Sequence, residues 1–201
     1  MAAELDSEVC VETYVQAKQS YYAEQQTATL YTQDEDGAYF VYDAAISQED
    51  YDKLVPGTKI RVTGYKAEWS SEVEIMDGTV EVLDGEDTFV AEALDATDLL
   101  GTDELIDHQN QFVSFKGLEV VASVDETNVN AEVPFLYNYN GSGTEGDDLY
   151  FNVSKDGETY TFVVESYLCD STTDVYKAVQ NLAIGDVIDM EGYLYWYEGV
   201  N

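Results

Sequence analysis

Apolar and polar residues alternate along most of this chain, and the alternation is broken at intervals by glycine and acidic turn residues. Val9 to Ala17 sets Val9, Val11, Thr13 and Val15 on one side and Cys10, Glu12, Tyr14 and Gln16 on the other, the period of a half-buried strand. Ala28 to Gln33 and Ala38 to Asp43 flank Asp34-Glu35-Asp36-Gly37, where Asp36-Gly37 is expected to supply the positive φ of a tight hairpin. Ser47 offers an N-cap with Glu49 and Asp50 in the first turn, which predicts a short helix through Leu54, ended by Pro56-Gly57. Lys59 to Tyr65 alternates again, Ile60 and Val62 facing one way and Lys59, Arg61 and Thr63 the other. Glu72 to Met76, extending toward Leu83, gives a fifth strand. The order β-β-β-α-β-β is that of a small Greek-key barrel.

The plan then recurs. Leu54, Gly57, Ile60, Gly64 and Tyr65 reappear as Leu182, Gly185, Ile188, Gly192 and Tyr193, each 128 residues on (182 − 54 = 128), which points to a duplicated domain. Phe112 to Val121 is the second long first strand, and Leu149 to Val153 with Thr159 to Glu165 forms a hairpin around Lys155-Asp156-Gly157. Ser171 and Asp174 resemble a capping box for a helix to about Leu182, and Asp186 to Trp196 is strand four. The division expected is 1–84, an acidic connector 85–110 with a helix capped by Thr102 and running through Gln109, and 111–201. The run Asn138 to Asp148 reads as a mobile loop.

Under that offset Asn201 matches Val73, which leaves the second barrel without a fifth strand of its own. Unpaired strand edges have to be covered. The edge of Asp189 to Tyr195 is therefore expected to be paired by a neighbouring molecule, by the arm Leu5 to Val9, or, preferably, by the β-prone connector Thr88 to Leu94; otherwise the chain is a fragment.

Composition narrows the function. The hydrophobic fraction of 45% and 17 Tyr exclude a disordered chain. With 42 acidic against 8 basic residues the net charge is −34, which argues against a generic polyanion binder, because such affinity comes mostly from Lys and Arg displacing counterions. Solubility, calcium-rich or salty surroundings, and a cationic partner all fit so acidic a chain. No stretch reaches the ~18 apolar residues of a membrane span, and the acidic N-terminus lacks the form of a signal peptide. Cys10 and Cys169 suggest two buried thiols by default, with an inter-repeat bridge as the minority reading.

Tyr14-Val-Gln-Ala, Leu30-Tyr-Thr-Gln-Asp-Glu-Asp-Gly-Ala-Tyr-Phe-Val-Tyr42 and Gly57-Thr-Lys-Ile-Arg-Val-Thr-Gly-Tyr65 together resemble the OB-fold domains of secreted or cell-surface Gram-positive bacterial proteins, including accessory domains of extracellular nucleases. The second repeat matches more weakly through Gly185-Asp-Val-Ile-Asp-Met-Glu-Gly-Tyr-Leu. The resemblance implies a mainly β chain of two tandem OB-fold-like five-stranded barrels, each with a short helix between strands three and four, the second lacking its last strand. It also implies an extracellular or surface location.

OB barrels bind on the face of strands two and three, between the loop joining strands one and two and that joining four and five. Tyr21 and Tyr22, Tyr31 and Tyr39, and Trp69 fall there in the first repeat, and Phe135, Tyr137, Tyr139, Tyr195, Trp196 and Tyr197 in the second. Such rings stack on bases or sugars, or else pack the barrels themselves. Lys18, Lys59, Arg61 and Lys66 form a candidate cationic strip for single-stranded nucleic acid. Asp34, Asp36 and Gly37 match part of a calcium loop, but Thr32 and Asp43 break it and a hairpin turn explains them better. The single His108 has no nucleophile at recognisable spacing, and no metal, cofactor or enzymatic activity is expected. The sequence favours a non-enzymatic binding or spacer module for a neutral carbohydrate, peptide or protein. The alternative is an accessory single-strand-binding region of an extracellular nuclease.

Overall fold

The computed structural model describes residues 3–197, 199 and 200. Its strands are β1 (Glu8–Lys18), β2 (Thr27–Gln33), β3 (Ala38–Ala45), β4 (Lys59–Trp69), β5 (Glu72–Val82), β6 (Leu94–Asp95), β7 (Phe112–Val121), β8 (Ser123–Asp125), β9 (Ala131–Val133), β10 (Leu136–Tyr137), β11 (Leu149–Lys155), β12 (Glu158–Val164) and β13 (Val187–Tyr193). Helices α1 (Gln48–Lys53) and α2 (Asp174–Gln180) interrupt them. The chain is thus mainly β. It divides into two compact units, the first made of the described residues of Met1–Leu94, Glu104–Val113 and Gly192–Gly199, the second of those of Asp95–Asp103, Ser114–Glu191 and Val200–Asn201.

The first unit holds a closed barrel in the order β1-β2-β3-β5-β4, with β3 and β5 parallel and the other pairs antiparallel. With α1 between β3 and β4, this is OB topology. Inward positions are those the alternation marks: Val9, Val15, Leu30, Val41, Ile60, Val62 and Ile75 form the core, and Leu54 closes it behind the helix. Shifts in register at Val15/Ala17, Ala28/Leu30 and Thr63/Tyr65 mark bulges, which bend strands enough for a small barrel to close. At the β4–β5 bend a Cβ on Gly64 would lie 2.8 Å from Ile75 Cγ2 and 2.9 Å from Gly78 Cα, so only glycine fits. Ser47 caps α1, its Oγ accepting the Asp50 amide, as the sequence predicts.

The second unit is an open sheet in the order β10-β11-β7-β13, with β12 on β11 and β6 on β7, beside a small β8–β9 hairpin. Gly185, just before β13, adopts φ +93°, and Gly57, 128 residues earlier and just before β4, has +90°. Among the described residues, β13 has a strand on one side only. The connector does not supply the other: Thr88 and Phe89 stay with the first unit, Thr88 Oγ1 bonding Gly57 O and Phe89 packing on Tyr14, while β6 goes to β7.

Several local expectations need correction. Asp156 and Gly157 do adopt the positive φ of a tight turn (54° and 88°), whereas Gly37 does not. Asp34 Oδ1 accepts the amides of Asp36 and Gly37 and holds that turn by side-chain bonding, so no left-handed residue is required. The connector carries two short 3-10 turns, Thr97–Leu99 and Leu105–His108, in place of one helix, and Thr102 Oγ1 bonds back to Leu99 O without capping anything. Helix α2 starts at Asp174 because Thr173, not Ser171, accepts the Tyr176 amide. Asn138 to Asp148 is laced by backbone bonds and anchored by Tyr176, whose hydroxyl donates to Asp147 O and accepts from the Gly146 amide. Both cysteines are free thiols, Cys10 exposed and Cys169 half-buried.

Candidate functional site

In the first unit Leu30 and Val41 point into the barrel, so their neighbours Tyr31 and Phe40 stand on the outer face of β2 and β3. Yet these two rings are only 6% and 4% exposed. Their cover comes from the same unit. Tyr193 stacks on Tyr31 with centroids 4.8 Å apart and Tyr195 meets Phe40 edge-on at 5.2 Å, while Phe112 packs against Tyr193 at 5.3 Å. The described residues of 192–199 therefore form a strap over the surface that OB barrels use for ligands.

Polar contacts fasten this strap. The Asn110 amide bonds Leu194 O and the Leu194 amide bonds Gln111 O. Gln33 Oε1 accepts the Phe112 amide, and Gln109 bonds both Ser71 O and the Val73 amide, tying the 104–113 segment to the β4–β5 turn. At the centre Glu72, fully buried, accepts the Trp196 amide at Oε2 at 2.8 Å. Its Oε1 and the Oδ1 of neighbouring Asn110 have no hydrogen-bond partner among the described residues. Burial pushes the Glu72 carboxyl up to about 7, against the smaller opposing pull of Asn110 and the Trp196 amide. Protonated Glu72 can donate where ionised Glu72 cannot.

The remaining candidate rings scatter. Tyr21 leans on Tyr51 and donates to Ile46 O, and Tyr39 packs against the barrel core. Tyr22 is exposed at the rim. Trp196 is half-buried and engaged through its amide. In the second unit Tyr137 takes a bond from Gln180 and meets Phe135 edge-on, while Tyr139 is exposed. One pair stays both together and accessible: Trp69 and Tyr197, 54% and 49% exposed, tilted at 46° with centroids 5.2 Å apart. Strand β4 fixes Trp69 and the strap fixes Tyr197.

Each of the four candidate cations has partners within the chain. Arg61 bridges Glu12 and Glu81 at 2.8 Å each, across β1, β4 and β5, and Lys59 sits between Glu12 and Asp87. Lys18 donates to Tyr51 O and lies over the Tyr51 ring, its ammonium pKa lowered by burial. Lys66 donates to Ala3 O. Among the described residues no group of three or more His, Cys, Asp or Glu is placed to hold a metal ion. His108 Nδ1 lies 2.9 Å from Gln111 Oε1, within the fastening segment.

Sequence reasoning missed the strap, because Tyr193 and Tyr195 carry no mark of their destination. It also missed Glu72, which no pattern separates from the other acids.

No family model matches the chain, and no curated protein matches it. Solved structures with some likeness include one described as "Structural mimicry for functional antagonism", 12% identical over 81% of this chain and 76% of that one, TM-score 0.38. Another is the Ifi202 HINa domain in complex with 20bp dsDNA, 12% identical over 78% of this chain and 77% of that one, TM-score 0.37. The likeness is loose, and the barrel assignment rests on the strand pairings.

Proposed function

We propose that this chain is a non-enzymatic binding and spacer module of a secreted or surface-attached bacterial protein, taking a neutral carbohydrate or a protein ligand. The observation that carries the reading is the accessible Trp69–Tyr197 pair, in a chain whose four candidate cations are already engaged by their own acids and carbonyls. Tilted aromatic rings accept a sugar face or an apolar side chain without needing positive charge. The covered Tyr31–Phe40 face turns ligand binding toward the rim. The matching pairs β1–β2, β2–β3, β1–β4 and β7–β11, β11–β12, β7–β13 support reading the two units as diverged copies of one OB-like domain, divided near 84 and 111.

A glycan array run beside a single-stranded DNA titration at low salt tests this reading. Glycan or protein binding that Trp69→Ala weakens supports it. Salt-sensitive DNA binding weakened by Arg61→Ala would replace it with the nuclease-accessory reading.

A further inference from the structure

Beneath the exposed Trp69–Tyr197 pair lies a buried acid. In the β4–β5 pairing Glu72 stands directly opposite Trp69, and its Oε2 accepts the amide of Trp196, the residue before Tyr197. One carboxyl therefore ties both halves of the pair. Two residues along β5, Glu74 is covered as well, 4% exposed and paired in register with Phe40, which Tyr195 caps edge-on. Lifting Tyr195, Trp196 and Tyr197 off the barrel would return water to this acidic patch.

Nothing cationic faces Glu72. From β5 comes Glu74, from β4 the uncharged Trp69, from the strap Trp196, and from the 104–113 segment Asn110, whose neighbour His108 is turned to Gln111. No Lys or Arg among the described residues acts on either acid, and burial raises both carboxyls, Glu72 to about 7. Asn110 gives its Nδ2 to Val73 O at 3.2 Å, which leaves its Oδ1 and Glu72 Oε1 as buried acceptors without a donor. A proton on Glu72 supplies one. Ionised Glu72 instead sits covered, without a countercharge and close to a second carboxyl, and regains hydration only when the strap gives way.

We infer that Glu72 is a pH-operated catch beneath the Trp69–Tyr197 pair: protonated, it holds Trp196 and keeps Tyr197 against Trp69, and ionised, it lets residues 195–197 lift away and parts the two rings. The inference adds regulation to the binding site proposed above and rests on that reading for its use, though not for its physics. Leu194 keeps its backbone bonds to Asn110 and Gln111, so the movement is local. The direction follows from the two states. Closed, Glu72 keeps its proton up to about 7, whereas lifted into water it releases it near the ordinary 4.5. Closure is thus fully favoured below pH 4.5 and loses that advantage as pH rises to 7.

Hydrogen exchange of the full chain between pH 4.5 and 8, corrected for intrinsic amide rates, reads the catch with no ligand present. The Trp196 amide is expected to be less protected than the paired amides of β4 at every pH, and its protection to fall by about 100-fold across the range. In Glu72→Gln that fall should shrink to a few-fold at most. Trp196 protection that is independent of pH would overturn the inference, as would a Glu72→Gln variant as steep as the parent. So would Trp196 protection equal to that of β4 throughout, which would make Glu72 a determinant of whole-barrel stability and no catch. Should Glu72→Gln fail to fold, the comparison of Trp196 with β4 in the parent chain still decides. A failure here leaves the binding reading to the glycan array, and an array without a hit leaves the catch standing.

Discussion

Tyr193 stacks on Tyr31 at 4.8 Å and 30°, so the chain itself covers the face of β2 and β3 that OB barrels use for ligands. Tyr193→Ala should destabilise the first unit by about 2 kcal/mol, combining lost apolar burial with the lost ring pair. Urea unfolding read by tyrosine fluorescence checks this. A change within about 0.5 kcal/mol would mean that the strap contributes little to stability.

Glu72 makes stability depend on pH. Its folded pKa, about 7, lies above the ordinary 4.5, so between these values the folded state holds a proton that the unfolded state releases. Its contribution is fully favourable below pH 4.5, falls as pH rises toward 7, and stays lost above. Glu72→Gln keeps an acceptor for the Trp196 amide and carries a permanent donor toward Asn110. The variant should melt higher than the parent at pH 8, by up to about 3 kcal/mol of stability, and no higher at pH 4.5. Thermal melts across pH 4.5–8 supply the comparison, and parallel curves for the two proteins would refute the assignment.

The two hairpin turns should respond differently to a β-branched residue. Gly157 sits at φ +88°, so Gly157→Val should cost about 1–2 kcal/mol through backbone strain. Gly37→Val should cost under about 0.5 kcal/mol, because Gly37 is not left-handed and a Cβ there meets only Tyr39 Oη at 3.9 Å. Denaturant midpoints that move equally would contradict this contrast.

Arg61 lies in an exposed cross-strand network with Glu12 and Glu81. Exposed ion pairs contribute little, so Arg61→Ala should change stability by less than about 1 kcal/mol, and raising salt should shrink even that. Differential scanning fluorimetry in low and high salt measures both.

The barrel was legible in the sequence because period-two alternation is a local property that survives into the fold. Ile60 and Val62 face the core as the pattern demands, and Ser47 caps α1 as its chemistry demands. What could not be read is whatever register or docking decides. Arg61 looks like an available cation until β1 and β5 bring Glu12 and Glu81 to either side. Tyr31 looks like a ligand platform until residues more than 160 positions later settle on it (193 − 31 = 162). Asp34 holds its turn through a side-chain bond that competes with the left-handed glycine expected at 37.

The paired glycines at 64 and 192 place a molecular record in the chain. Gly64 is enforced by contact, since β5 leaves no room for a methyl group, whereas a Cβ on Gly192 would meet nothing within 4 Å. In the isolated molecule position 192 is thus a tolerance without a present steric cause, and alanine there should go unnoticed. Should a fifth strand come to lie across β13 as β5 lies across β4, that vacancy would close to the contact distances found at Gly64. A methyl group would then act as a gauge, silent in the chain alone and felt only when the added strand is in place.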